Sequence, residues 1–152
     1  MILKTSRFGE IKYETKETIF FENGLVGFQS YQHFLIFEHQ KGSPFQWLIC
    51  LDQPDLAFPI VDPFYYVPDY DPVMSLEEAE SLELKEETPR YLFTTATIPN
   101  GQPKATTINL AGPIIINAVT QKAKQIVLED ERYSIKHSIF SSSCSDNIKK
   151  AA

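Results

Sequence analysis

The sequence predicts a mainly β fold: a small antiparallel β-barrel, closed or nearly closed, with one short helix. Strand-forming runs are short and frequent, and the chain contains 11 Phe, 7 Tyr and 10 Pro. β-branched and aromatic residues favour a pleated backbone, and a chain with many short strands and proline-containing turns is typical of a sandwich or barrel. Only one stretch has a clear helical pattern. Closure into a barrel would also remove exposed strand edges.

The length of 152 residues is typical of one domain, and 43% hydrophobic with 22% charged residues is the composition of a folded protein. We expect one domain over residues 1–140 and a flexible polar tail over residues 141–152. The sequence contains no apolar run of transmembrane length and no signal-peptide pattern. The two cysteines fit neither a disulfide framework nor a metal motif, and Cys50 is predicted to be a core residue. A cytoplasmic protein is therefore expected.

The clearest strand pair lies late in the chain. Three consecutive isoleucines at 114–116 show no polar alternation, which predicts a strand buried on both faces. Residues 117–122 are polar and form the predicted loop, and residues 125–128 are the predicted returning strand. We assign residues 114–117 mainly to the core.

Shorter strand candidates fill most of the remaining chain. They are separated by turns that contain Gly, Pro or Asn. Pro59 predicts an edge or a strand end, because proline cannot donate to a β-ladder. Alternation places Thr106, Ile108 and Leu110 on one face of their strand. In chain order the candidates comprise residues 1–5, 9–13, 18–21, 34–38, 45–51, 57–61, 90–98, 104–110 and a short edge strand at 133–137.

Residues 62–72 combine four aromatic residues, three prolines and three aspartates. The prolines prevent a helix and favour an extended path. One interpretation is an aromatic plug over one end of the barrel. The other is an exposed recognition ledge, since rigid aromatic side chains are favoured interface anchors. The residues concerned include Asp62, Phe64, Tyr65, Tyr66, Asp69, Tyr70 and Asp71.

Residues 75–84 form the predicted helix. Ser75 and Glu78 have the spacing of a capping box, and Leu76, Ala79 and Leu82 form a narrow apolar face. The opposite side is strongly acidic. It is either a solvated face or an anionic docking patch, and it contains Glu77, Glu78, Glu80, Glu83, Glu86 and Glu87.

Catalytic and nucleic-acid-binding functions find little support. His33, His39 and His137 are scattered and lack the spacing of metal ligands. The aspartates at 62, 69 and 71 could bind a hard cation, but the prolines around them and the lack of a loop glycine argue against a calcium loop. The formal net charge of −6, with no basic stripe, argues against direct nucleic-acid binding. It suits a basic protein partner or simply maintains solubility.

We therefore expect no enzymatic activity, no cofactor and no metal. Two alternatives remain open at this point. One is a β-barrel that binds a small ligand in its interior, which a deep empty cavity would support. The other is a hydrolase or metal enzyme, which would require His, Asp and Glu side chains to converge in a cleft.

Several motifs together resemble one family, the flagellar assembly factor FliW. Each motif is weak alone, but their order along residues 1–135 is specific. The sequence departs from the family pattern in two small ways. Trp47 occupies a position where a smaller apolar residue is expected, and the Ser-rich tail does not match the family. The motifs are FENGLVGF at 21–28, PFQWL at 44–48, AFPIVDP at 57–63, YVPDY at 66–70, TTINLAGPIIIN at 106–117 and AKQIVL at 123–128.

The resemblance implies a compact β-barrel that acts as a regulator without enzymatic activity. Proteins similar to FliW bind flagellin in the cytoplasm, through the flagellin C-terminal region. They also bind CsrA, a small dimeric RNA-binding translational repressor. When secretion depletes flagellin, the freed protein captures CsrA, antagonises it allosterically and relieves repression of flagellin synthesis. The implied state is a monomer when free and a hetero-complex with either partner, with no direct nucleic-acid or membrane binding.

The resemblance does not fix the contact residues, so we place them by charge and aromatic character. An acidic surface meeting a basic RNA-binding protein gains in encounter rate and register. The predicted partner-binding residues are Asp62, Phe64, Tyr65, Tyr66, Asp69, Tyr70, Asp71, Glu77, Glu78, Glu80 and Glu83.

Overall fold

The computed structural model describes residues 1–140, which form a closed β-barrel with additional strands, one α-helix and three short 3-10 helices outside it. Seven strands close the barrel, because β7 pairs with both β6 and β9. Neighbouring barrel strands are antiparallel except β3 and β10, which are parallel. In chain order the elements are β1 (Ile2–Thr5), β2 (Gly9–Lys12), β3 (Ile19–Phe21), β4 (His33–Phe37), β5 (Phe45–Cys50), β6 (Ala57–Val61), α1 (Leu76–Ser81), β7 (Arg90–Thr97), β8 (Thr107–Ile108), β9 (Ile114–Asn117), β10 (Lys122–Gln125) and β11 (His137–Ser138).

The barrel interior is a packed apolar core. Phe21, Phe34 and Leu48 have no exposed area, and Ile114 and Ile116 are 1% exposed. These side chains belong to one cluster contributed by strands around the whole barrel. In the part of the chain that the structure describes, the barrel centre is therefore filled by side chains, as in other small barrels, and leaves no cavity for a small ligand. The interior-ligand alternative loses its structural basis.

Separate layers cover the outer face of the barrel. The β1–β2 hairpin packs Leu3 and Ile11 over Leu35 and Ile49, which point outward from β4 and β5. On another side, the segment that contains α1 packs over Ile115. This second cover explains the isoleucine run, because Ile115 is buried outside the barrel while its two neighbours are buried inside. The prediction of a strand buried on both faces is confirmed.

The returning strand begins earlier than predicted. Pairing resumes at Lys122–Gln125, opposite Ile114–Ile116, and not at residues 125–128. The Asn117 side chain shortens the loop by accepting hydrogen bonds from the Val119 and Thr120 amides. Polarity alone could not show this contraction.

The remaining differences are local. The helix ends at Ser81, three residues before the predicted end, and its Leu76 is 77% exposed, so the prediction that Leu76 lies on an apolar inner face is wrong. Leu82, just beyond the helix, is the buried residue. The edge strand comprises His137–Ser138 and not residues 133–137. Cys50 is fully buried, as predicted. The predicted tail lies outside the described residues.

Candidate functional site

The negative charge of the chain is concentrated between residues 62 and 87, which we call the acidic segment. Nine of the 20 acidic residues and one of the 14 basic residues lie there, which gives the segment a formal charge of −8 and leaves +2 for the rest of the chain. The segment leaves the barrel after β6 and returns to it at β7. It is a negatively charged connection between two barrel strands, on the outer face of a protein whose remaining residues are slightly basic.

Tyr70 anchors the first half of the acidic segment. Its side chain is 4% exposed, and its hydroxyl donates a hydrogen bond to the Leu110 carbonyl oxygen at 2.5 Å. The Tyr133 ring packs edge-on against it at 4.7 Å, and the Tyr133 hydroxyl accepts a hydrogen bond from the Asp71 amide. Burial, with the nearby Tyr133 as a smaller cause, raises the pKa of Tyr70. Tyr70 therefore belongs to the core, and its predicted place on an exposed ledge is wrong.

Two rings of the same half remain on the surface. Phe64 is 41% exposed and Tyr65 is 68% exposed. They occupy a short 3-10 turn, Pro63–Tyr65, which Asp62 caps by accepting a hydrogen bond from the Phe64 amide at 2.9 Å. Tyr66 is half-buried, and burial followed by the neighbouring Tyr65 raises its pKa. Inner rings therefore hold the segment against the barrel, as the plug interpretation predicts, while outer rings are exposed; recognition by the exposed rings stays a prediction.

The second half of the acidic segment is the helix. Ser75 caps α1, and the Ser75 and Glu78 side chains exchange hydrogen bonds with each other's amides, which confirms the predicted capping box. At the other end, Leu82 is buried against Ile115. The buried Asn117 amide donates hydrogen bonds to the Leu82 and Glu83 carbonyl oxygens at 2.8 and 3.3 Å. The helix is therefore fastened to the end of β9 rather than held by its own six residues.

The glutamates in α1 and just after it differ in whether their carboxylates already have a partner. Glu78 is used in the capping box, and the Glu83 carboxylate forms an ion pair with Lys122 that raises the pKa of that amine. Glu77 and Glu80 are exposed and have no ion pair within residues 1–140. The side chains of these two glutamates of α1 are therefore not engaged by the cap or by an ion pair.

Both halves of the acidic segment rest on neighbouring parts of the barrel. Leu92 of β7 packs against the cluster beneath Tyr70 and also against the cluster beneath Leu82. One outward residue therefore lies under both halves, so the two halves cover adjacent parts of the outer face of the barrel.

Catalytic and metal-binding arrangements do not appear in the described part of the chain. His33 lies 3.5 Å from an Asp52 carboxylate oxygen, His39 packs against Phe8, and His137 is in β11. Within residues 1–140, no three His, Cys, Asp or Glu side chains are grouped so that they could hold a metal ion. None of the helices in that range is long and apolar enough to cross a membrane.

The family model described as FliW protein matches residues 2–139. The chain belongs to the FliW family. The flagellar assembly factor FliW of Thermotoga sp. (strain RQ2) is 37% identical over 137 residues, which cover 90% of this chain and 91% of that protein. The FliW of Magnetococcus marinus is 34% identical over 152 residues and spans all of this chain. A crystal structure of a flagellar assembly factor FliW superposes with a TM-score of 0.85 at 29% identity and covers 93% of this chain.

Membership in the FliW family confirms the resemblance and the barrel fold. The family is one of flagellar assembly factors, which are regulatory proteins and not enzymes. Sequence reasoning missed two residues that support the acidic segment. Tyr133 is more than 60 residues from Tyr70. Asn117 is buried, as its assignment to the core predicts, but its bonds to carbonyl oxygens more than 30 residues away are visible only in the three-dimensional fold.

Proposed function

We propose that this protein is a cytoplasmic, protein-binding regulator of flagellar assembly. It binds flagellin and, when free of flagellin, binds the translational repressor CsrA. Binding antagonises CsrA allosterically and relieves repression of flagellin synthesis. The protein needs no cofactor and contacts neither nucleic acid nor membrane directly, and it is a monomer until it joins one of its partners. FliW family membership supports this proposal.

The concentration of charge in the acidic segment is the observation that supports it best. A segment with formal charge −8 on one side of the barrel attracts a basic RNA-binding protein and orients it during encounter. A uniformly charged surface would attract such a partner but would not orient it. The proposed contact side comprises Asp62, Phe64, Tyr65, Tyr66, Asp69, Asp71, Glu77, Glu78, Glu80 and Glu83.

Aromatic side chains supply the complementary part of the proposal. Exposed carboxylates change encounter rate and specificity more than they change affinity. Desolvated aromatic side chains are frequent hot spots of binding energy. Phe64 and Tyr65 lie beside the charged residues and are exposed, so they are the proposed anchors. Tyr70 supports them from the core and makes no direct contact in this proposal.

Calorimetric titration with a purified CsrA-type regulator tests the proposal. Reversing Glu77, Glu78, Glu80 and Glu83 together would also damage the helix cap and the Lys122 ion pair. The sharper variants are Glu77→Lys and Glu80→Lys, each expected to weaken binding about fivefold, since a reversal replaces an attraction by a repulsion.

Glu10→Lys is the matched control, because Glu10 is exposed on the β1–β2 hairpin, outside the acidic segment. It changes the net charge equally and is expected to leave affinity within about twofold. If all three variants weaken binding alike, net charge and not a surface governs association. If the regulator does not bind the wild-type protein at all, the proposal is wrong. Flagellin, titrated in the same way, tests the second partner.

A further inference from the structure

A groove lies on the outer face of the barrel between its two covering layers. Phe45, Trp47 and Ile49 alternate outward along β5. Phe45 packs beneath the acidic segment and Ile49 beneath the β1–β2 hairpin, while Trp47 lies between them. The groove has a volume of about 240 Å³ and is lined by His39, Gln40, Ser43, Phe45, Trp47 and Ile98.

The groove is apolar at its centre and has a polar rim. The hairpin side of Trp47 is occupied by Phe8, at 5.2 Å between ring centroids, and by the Arg7 guanidinium at 4.8 Å. The groove side of the indole faces Phe45 and Ile98, and Ile98 is 43% exposed. Among residues 1–140, no Asp, Glu, Lys or Arg lines the groove, so it suits an apolar side chain and not a charged one.

A row of rings joins the groove to the acidic segment. Tyr65 packs edge-on against Tyr66 at 4.9 Å, and Tyr66 lies 6.4 Å from Phe45. Phe45 then forms a wall of the groove beside Trp47. A macromolecule that covers the exposed Tyr65 can therefore extend into the groove along a continuous row of uncharged rings.

We propose that this groove is an apolar subsite for the basic partner of the acidic segment. The partner places one bulky apolar side chain, flanked by basic residues, between Phe45, Trp47 and Ile98. The basic residues face the carboxylates of the acidic segment, which gives charge complementarity, while the groove itself supplies desolvation. This inference rests on the proposed function, because it concerns the same partner and extends the same surface.

Trp47 is the only tryptophan, so its fluorescence reports the groove directly. The CsrA-type regulator is titrated into the full chain, and the Trp47→Phe variant supplies the background. Docking is expected to shift the Trp47 emission to shorter wavelength as the indole loses water. Ile98→Ser is expected to weaken binding about tenfold without changing its salt dependence. Val26→Ser, at another exposed apolar residue, is the control and is expected to leave affinity unchanged.

Calorimetry of the same samples separates the two levels of the proposal. If the regulator binds while the Trp47 emission and the Ile98→Ser affinity stay unchanged, the groove inference is overturned and the proposed function stands. If flagellin and not the regulator shifts the emission, the assignment of the occupant is overturned. If the regulator does not bind at all, the proposed function and the groove inference are both overturned. Ile98 lies at the surface, so its variant is expected to keep the wild-type melting temperature.

Discussion

Replacing Asn117 by alanine should loosen the acidic segment from the barrel. Asn117 is 1% exposed, and its side chain takes part in four hydrogen bonds. Two are donated to carbonyl oxygens after α1, and two are accepted from loop amides. Val119 and Thr120 are exposed, so water can replace the bonds to their amides. The Leu82 carbonyl oxygen is buried with its residue and would lose its partner.

The magnitude follows from these environments. An unsatisfied buried carbonyl costs about 1–3 kcal/mol, and each exchangeable hydrogen bond contributes about 0.5–1.5 kcal/mol. We expect Asn117→Ala to lower the free energy of unfolding by about 3 kcal/mol. For a chain of this size, each kcal/mol lowers the melting temperature by about 2–4 °C, so the midpoint should fall by about 6–12 °C.

Urea denaturation measures the loss, and hydrogen exchange locates it. Amides of residues 76–84 should exchange faster in the variant, while those of β4 and β5 should change less. Asn100→Ala, in an exposed turn, is the control and should stay within about 0.5 kcal/mol of wild type. A loss below about 1 kcal/mol, or exchange that rises equally in every element, would show that Asn117 does not fasten the helix.

Three further predictions concern other fixed points of the fold. Gly24→Ala should lower the free energy of unfolding by about 3 kcal/mol, because the added Cβ would lie 2.5 Å from the Phe28 carbonyl oxygen. Gly27→Ala has open space around the added Cβ and should cost only about 1 kcal/mol. Equal losses of stability in urea denaturation would contradict this prediction. Tyr70→Phe should cost about 1 kcal/mol at neutral pH through the lost hydrogen bond to Leu110. Burial raises the pKa of Tyr70 in the folded protein above the value near 10 in the unfolded chain. The stability that the buried neutral hydroxyl contributes is therefore fully present below about pH 10 and is lost as the pH rises further. The difference in free energy of unfolding between wild type and Tyr70→Phe, measured by chemical denaturation, should therefore become smaller above about pH 10. A difference that stays constant with pH would argue against a buried hydroxyl.

Local patterns predicted the parts of the fold that depend on neighbouring residues. The three isoleucines at 114–116 predicted a doubly buried strand, and the Ser75–Glu78 spacing predicted the cap of α1. The acidic character of residues 77–87 is likewise visible in the sequence. Each of these signals is contained within one short stretch of chain.

Contacts between distant parts of the chain could not be predicted in this way. Leu76 and Leu82 are both apolar at helical spacing, yet only Leu82 is buried, because the helix ends before it and Asn117 holds its carbonyl. Tyr70 and Tyr65 are chemically alike, but only Tyr70 meets the Leu110 carbonyl oxygen and the Tyr133 ring, which are distant in the chain, and only Tyr70 is buried. The candidate site is formed by residues that are distant in the sequence, and the barrel fold brings them together.

The association rate of the CsrA-type regulator, measured as a function of salt, tests the central claim most directly. Electrostatic steering by the acidic segment predicts a wild-type rate that falls steeply with ionic strength. The double variant Glu77→Lys, Glu80→Lys should associate more slowly at low salt and show a clearly shallower salt dependence, while Glu10→Lys should retain most of the wild-type dependence. Identical salt dependence in the wild-type protein and the double variant would contradict the account.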